Sequence, residues 1–258
     1  MRNLRLIARL DIKGPNLVKS IQLEGLRKIG DPNDFALRYY LQGADEILYN
    51  DAVASLYERN GLSEIIEKTT RNIFIPITVG GGIRSIQDVK AALNAGADKV
   101  SINTAAIKNP DILAEISKTF GSQCLVLSIE AKSQKSFWEA YYDNGREASG
   151  LDVIEWVKKG ERLGAGEILL TSIDKEGMAT GFDIELVEAV TSSVSIPVIC
   201  SGGMGQLSDV EKVVNGANVD AIAMSHVLHY DFLTIGDIRE HCLHMGFPVR
   251  QFSEGKTI

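Results

Sequence analysis

Ile75-Pro-Ile-Thr-Val-Gly-Gly-Gly-Ile83 decides the fold, because the chain uses it twice. It returns, altered, as Ile196-Pro-Val-Ile-Cys-Ser-Gly-Gly-Met204, 121 residues later in a chain of 258. Each copy is a short apolar run cut off by glycines and followed by a helix-like segment. That reads as a buried strand, then a turn where backbone approaches another group closely. The helix that follows has free N–H groups at its start that can hold an anion. Two such turns at half-chain spacing point to a ligand with an anionic group at each end.

The repeat spreads outward from this stretch. Gly43-Ala-Asp-Glu-Ile-Leu48 returns as Gly164-Ala-Gly-Glu-Ile-Leu169, and Asp98-Lys-Val-Ser-Ile-Asn103 as Asp220-Ala-Ile-Ala-Met-Ser225. Arg9-Leu-Asp11 is echoed by Ser128-Ile-Glu130. Four strands therefore recur twice, at a period far longer than that of a solenoid. Strands are expected at 4–10, ending at Asp11, and at 46–50, 75–80, 99–103, 123–129, 167–171, 197–200 and 220–223. Helices are expected between them, at about 31–43, 61–70, 85–96, from Asn109-Pro110, at 152–163 and 183–191, from Ser208, and at 235–245. Asp31-Pro32 has the form of an N-cap with proline in the first turn. A polar, Gly-bearing segment fills the space from Asp11 to Gly30. Phe137 to Tyr142, with Asp143-Asn-Gly145, reads as a small hairpin inserted after strand five. Short apolar strands alternating with helices predict a parallel sheet covered by helices. An open doubly wound sheet is the alternative. Two equal halves favour closure into a (β/α)8 TIM barrel, with residues 1–258 as one domain.

Composition narrows the function. Hydrophobic residues make up 45% and charged residues 24%, enough for a large core. The net charge of −7 argues against a nucleic-acid or membrane-surface binder. A phosphorylated small molecule stays open, because backbone amides hold phosphate on an acidic protein too. Cys124, Cys200 and Cys242 have no metal-type spacing and are odd in number, as expected of reduced core residues in a cytoplasmic protein. No apolar run reaches membrane-spanning length, and the first residues lack a signal-peptide core. His226, His229, His241 and His244 match no zinc spacing, so no metal is expected. The residues 253–258 are expected to fray.

In a barrel of this kind the active site lies at the C-terminal ends of the strands. Asp11 and Glu130 end equivalent strands of the two halves, so they face each other across the mouth. Two carboxyl groups so placed can divide acid and base roles. Gly81, Gly82, Asn103 and Thr104 make one anion site, and Gly177, Gly202, Gly203 and Ser225 the other. Side chains alternate along a strand, so Arg5, Ile7, Arg9 and Asp11 share one face. Ser128 then lies inward with Glu130, and Asn50 with Glu46.

Several stretches together resemble the cyclase subunit of imidazole glycerol phosphate synthase, over roughly residues 4 to 250. They are Leu10-Asp11, Val18-Lys19, Gly30-Asp31-Pro32, Thr78-Val-Gly-Gly-Gly-Ile-Arg84, Gly96-Ala-Asp-Lys-Val-Ser-Ile-Asn103, Phe120-Gly-Ser-Gln-Cys124 and Gly166-Glu-Ile-Leu-Leu-Thr-Ser172. The resemblance implies a lyase of histidine biosynthesis that needs no cofactor. It takes ammonia from a glutaminase partner in a heterodimer. It converts a bis-phosphorylated ribulosyl-formimino-carboxamide ribotide to imidazole glycerol phosphate and aminoimidazole carboxamide ribotide. It implies Asp11 and Glu130 as catalytic residues. Lys19, Gly82, Asn103, Thr104, Thr171, Gly177, Gly203 and Ser225 become substrate or phosphate contacts. Arg5, Glu46, Lys99 and Glu167 become an ammonia gate, and their places at strand starts fit a charged ring at the barrel floor. Asp98 falls at the glutaminase interface.

The chain departs from the family pattern at Arg9, Asn50, Ser128, Glu130 and Glu176. An inward Arg9 needs a partner, and the longer Glu130 is expected to reach it and be held ionised. These departures also suit an ammonia-conducting paralogue serving a sugar amidotransferase. A sugar isomerase on the same barrel is a third reading; it would need no gate.

Overall fold

The computed structural model describes residues 3–54 and 62–252. The strands of the first half are β1 (Arg5–Lys13), β2 (Asn16–Ile21), β3 (Glu24–Gly30), β4 (Glu46–Asp51), β5 (Ile77–Gly80) and β6 (Lys99–Ile102). Those of the second are β7 (Leu125–Ser133), β8 (Trp138–Tyr142), β9 (Glu147–Asp152), β10 (Glu167–Ser172), β11 (Val198–Ser201) and β12 (Ala221–Met224). Eight of them pair in parallel in the order β1, β4, β5, β6, β7, β10, β11, β12, and β12 returns to β1. The ring is closed: this is the expected (β/α)8 barrel, and no open edge remains in it.

Among the described helices are α1 (Pro32–Leu41), α2 (Ser63–Thr69), α3 (Ile86–Asn94), α4 (Thr104–Lys108), α5 (Asp111–Phe120) and α6 (Val153–Arg162). They continue with α7 (Ile184–Thr191), α8 (Leu207–Gly216), α9 (His226–His229) and α10 (Ile235–His244). Their starts are written in the sequence. Asp31 accepts from the Asn33 N–H with Pro32 in the first turn, and Asp152 and Asp183 cap α6 and α7 in the same way. Thr234 and Asp237 form a reciprocal capping box on α10.

The eight strands of the ring are buried on both faces where they form the barrel. Ile7, Leu48, Val126, Leu169, Ile199, Ala221 and Ala223 fill the bore as one apolar layer. The opposite faces, with Leu6, Leu10, Ile47 and Tyr49, pack under the helices. That double burial is why the strands read as apolar runs without alternation.

The aspartate that recurs just ahead of a strand, at Asp45, Asp98 and Asp220, has a structural job. Asp45 accepts from the Leu6 N–H and Asp98 from the Ile77 N–H, each at 2.8 Å, and Asp220 from the Val198 N–H at 3.0 Å. Each carboxylate stitches its strand to a neighbour at the barrel floor. In the fourth copy Gly166 replaces the aspartate because a Cβ there would lie 2.1 Å from the Ser122 carbonyl oxygen.

Two expectations change. The polar stretch after Asp11 is a β-hairpin, β2–β3, laid antiparallel on β1 with Val18 opposite Asp11. Its polar residues Lys19 and Ser20 are buried with Leu17 and Val18, so no alternation marks the strand. The second change concerns the hairpin after strand five. β7 runs on to Ser133 and pairs with β8, which pairs with β9. Asp143, Asn144 and Gly145 turn it in the left-handed region that these residues tolerate. Each half thus carries a hairpin after its first strand, so β8–β9 is the counterpart of β2–β3 as much as an insertion. The expected start of the second helix at Gly61 and the expected fraying of 253–258 lie outside the described residues.

Candidate active site

The four residues expected to form a gate meet. Arg5 pairs with Glu46 and Glu167, and Lys99 Nζ lies 3.0 Å from Glu46 and 2.9 Å from Glu167. Two cations and two carboxylates alternate in a closed ring beneath the apolar layer. The carboxylates are buried and the cations are partly open to a cavity on the outer face of the floor, lined by Arg5, Lys99, Gln123 and Glu167. Asp98 lies beside this ring, with its carboxylate taken by the Ile77 N–H.

At the other end of the bore, Asp11 and Glu130 are 3% and 7% exposed. Register puts them there: Asp11 pairs across β4 with Asn50, and Glu130 across β10 with Thr171. Glu130 Oε2 accepts from Asn103 Nδ2 and from the Gly145 N–H, both at 2.8 Å. Asn103 is therefore a holder of the second carboxylate, and also donates to the Tyr141 carbonyl. Thr104 Oγ1 accepts from the Asp143 N–H at 3.0 Å. Sequence reasoning treated Gly145 only as a turn residue and missed its N–H as an anchor.

Arg9 does not bond Glu130, contrary to expectation. Its Nε and Nη2 each lie 3.1 Å from Asp11 Oδ1. Its Nη1 donates to Thr171 Oγ1 at 2.9 Å and to Ser201 Oγ at 3.2 Å. Thr171, expected to touch substrate, is thus engaged by Arg9. The charge states follow. Burial works to raise Asp11, but Arg9, helped by Lys19 and the Asn50 amide, overcomes it and holds the carboxyl below its usual range. Burial wins at Glu130: despite Arg9 and the Gly145 N–H, its carboxyl is pushed up to about 7. The expectation of an ionised Glu130 is reversed, because the cation chose the carboxylate two residues along its own strand.

The glycine turns flank this pair. A cavity of about 360 Å³ opens at the first, lined by Gly81, Gly82, Asn103, Thr104, Asn144 and Glu130. Gly81, at φ +86°, has no room for a side chain: a Cβ would sit 2.4 Å from the Asp51 carbonyl oxygen. Arg84 and Lys108 also reach this cavity, two cations that the sequence did not single out.

The second turn is nearly filled. Gly177, Gly202, Gly203 and Ser225 converge as expected, around a space of only about 10 Å³. The β2–β3 hairpin lies over it, with the Gln22 N–H bonded to the Glu176 carbonyl at 2.8 Å. Lys19 and Glu176 are each 2% exposed and form an ion pair. The Glu176 carboxylate points at the Gly202 turn, 3.2 Å from where a Cβ on Gly202 would be. An acidic side chain already sits at the turn expected to hold the second anion.

His229 is a packed residue, its Nδ1 2.6 Å from the Tyr39 hydroxyl. No helix among the described residues is long and apolar enough to cross a membrane.

The family described as "Histidine biosynthesis protein" matches residues 5–234. The chain is similar to imidazole glycerol phosphate synthase subunit HisF of Legionella pneumophila, 63% identical over 210 residues, 81% of this chain and 99% of that protein. The subunit of the same name from Dehalococcoides mccartyi is 43% identical over 250 residues, 97% and 99% of the two chains. That of Lactococcus lactis subsp. cremoris is 47% identical over 248 residues, 95% and 96%.

Proposed function

The chain belongs to the histidine biosynthesis protein family, and on that premise we propose that it acts as the cyclase subunit of imidazole glycerol phosphate synthase. The reaction is the ammonia-dependent conversion of the bis-phosphorylated carboxamide ribotide to imidazole glycerol phosphate and aminoimidazole carboxamide ribotide. One observation carries the reading: two carboxyl groups of opposite charge tendency stand between two glycine turns built for anions.

The substrate lies across the mouth. One phosphate takes the open cavity at Gly82 and Thr104, with Arg84 and Lys108 at its rim. The other takes the Gly177, Gly203 and Ser225 turn and displaces the Glu176 carboxylate from Lys19. Lys19 then pairs with phosphate, so the hairpin that already lies over this turn opens to admit the substrate and covers it again with its charge still neutralised. Asp11 and Glu130 face the atoms between the phosphates and move protons there. Ammonia arrives through the Arg5–Glu46–Lys99–Glu167 ring from a glutaminase docked on the floor. The relatives are named as subunits of this synthase, and those names give the sugar-amidotransferase reading no support.

Purified protein, the bis-phosphorylated ribotide and an ammonium salt test this without a partner. Both products should form in equal amounts. Consumption of the ribotide without imidazole glycerol phosphate, or no consumption at all, would contradict it.

A further inference from the structure

The duplication leaves Arg9 unexplained. Its counterpart in the second half is Ser128, a side chain with no charge and little reach. The Arg9 guanidinium is 3% exposed. It starts on β1 and ends against Thr171 on β10 and Ser201 on β11, so it crosses the bore between the apolar layer and Asp11. A buried guanidinium is costly unless its donors are used, and here all three nitrogens have partners.

The contacts on Asp11 are one-sided. Arg9 Nε, Arg9 Nη2 and Asn50 Nδ2 all converge on Oδ1, at 3.1, 3.1 and 3.3 Å. Asp11 Oδ2 is buried and has no hydrogen-bond partner among the described residues. A buried carboxylate oxygen left bare is costly unless something else comes to it. Glu130 is anchored differently, by an amide and a backbone N–H, with no cation within ion-pair distance among the described residues. The two carboxyl groups occupy equivalent places in the two halves but have inequivalent surroundings.

We propose that Arg9 is a positioning residue that breaks this symmetry: it fixes Asp11 as the base, through Oδ1, with Oδ2 free for the substrate's proton, and leaves Glu130 as the acid. The assignment rests on the cyclase reading for its reaction, though not for its charge states. The other charges around Asp11 are Lys19 on β2, Glu176 after β10, Glu130 on β7 and His229 on α9. Lys19 and Glu176 neutralise each other in their own pair, and burial keeps His229 neutral down to about pH 3. Arg146 also acts on Glu130, more weakly than Arg9 and the Gly145 N–H; Arg9 is the cation that acts on both carboxyl groups and bonds Asp11.

The test compares Arg9→Met, which keeps length and loses charge, with Arg9→Lys, which keeps charge and loses the fork. The kcat/KM profile against pH is measured with ammonium as nitrogen donor and expressed per free ammonia, so that the remaining ascending limb reports the enzyme's own base. In Arg9→Met the ascending limb should move up by about one pH unit or more, because buried Asp11 without its counter-charge holds its proton longer. In Arg9→Lys the limb should stay near the wild-type position, which keeps the proposal testable should the Met variant not fold. Limbs at the same pH in wild type and Arg9→Met would overturn it, whatever happens to the melting temperature. So would a limb in Arg9→Lys displaced as far as in a folded charge-free variant such as Arg9→Gln. Carboxyl carbon NMR of Asp11 in the same proteins reads its ionisation without turnover. If the wild type turns over no ribotide, the cyclase reading fails, and a Met-induced rise of the Asp11 titration still supports Arg9's role; an unmoved titration refutes it.

Discussion

Asp11→Asn is expected to lower kcat/KM with ammonium by about 10²- to 10⁴-fold, the usual worth of a positioned proton acceptor. Shape is conserved and the base is lost. The variant has a second consequence that separates this account from a purely structural role. Arg9 would be left buried at 3% exposure without its counter-ion. Removing one partner of a buried pair costs about 3–5 kcal/mol of stability. Adding Arg9→Met to Asp11→Asn should restore most of that stability and none of the activity. Denaturant unfolding and steady-state kinetics on the three proteins check both parts. Recovery of activity together with stability would mean that Asp11 serves only as the counter-ion of Arg9.

Glu130→Gln is expected to make a less active and, above neutrality, more stable protein. The sign follows from the direction of the shift. The Glu130 carboxyl is raised from 4.5 to about 7 in the fold. Between those values the native state binds more protons than the unfolded chain, so stability falls as pH rises through the window. The penalty is complete above pH 7 and amounts to about 3 kcal/mol at most, for a shift of roughly two and a half pH units. Asp11 acts in the opposite sense and below this window, because its carboxyl is lowered. Gln cannot ionise. The wild type and Glu130→Gln should therefore match in stability near pH 4.5 and diverge toward pH 8, with the variant ahead. Activity should fall about 10²-fold or more, since the acid is gone. Parallel stability curves across pH 4.5 to 8 would contradict the raised Glu130.

The barrel was legible because it was written twice. The Gly-Gly turns, the strand ends at Asp11 and Glu130, and the carboxylates Glu46 and Glu167 fall at equivalent places in the two halves, whereas the ring's cations Arg5 and Lys99 both come from the first half. Parity placed Arg9 in the bore, but parity gives a face and not a direction. The guanidinium runs along its own strand to Asp11, an i, i+2 neighbour on the same face, rather than across to Glu130. An Arg-x-Asp in a buried strand was the signal for that pair. The β2–β3 hairpin stayed hidden because its polar residues face the site, so burial and polarity no longer correlate there. The pairing of Lys19 with Glu176 spans 157 residues and has no local signature. Thr171 and Asn103 were located correctly at the mouth, but the sequence could not tell a substrate contact from a brace on Arg9 or Glu130.

The central claim is that one doubly anionic molecule spans the two glycine turns with Asp11 and Glu130 beneath its middle. A crystal structure with the bis-phosphorylated ribotide, or an unreactive analogue, tests it most directly. The account predicts one phosphate at Gly82 and Thr104, the other at Gly177, Gly203 and Ser225, and Lys19 released from Glu176 onto that second phosphate. It also predicts the free Oδ2 of Asp11 within hydrogen-bond reach of the carbons between them. A ligand held at one turn only, with the Lys19–Glu176 pair intact, would contradict it.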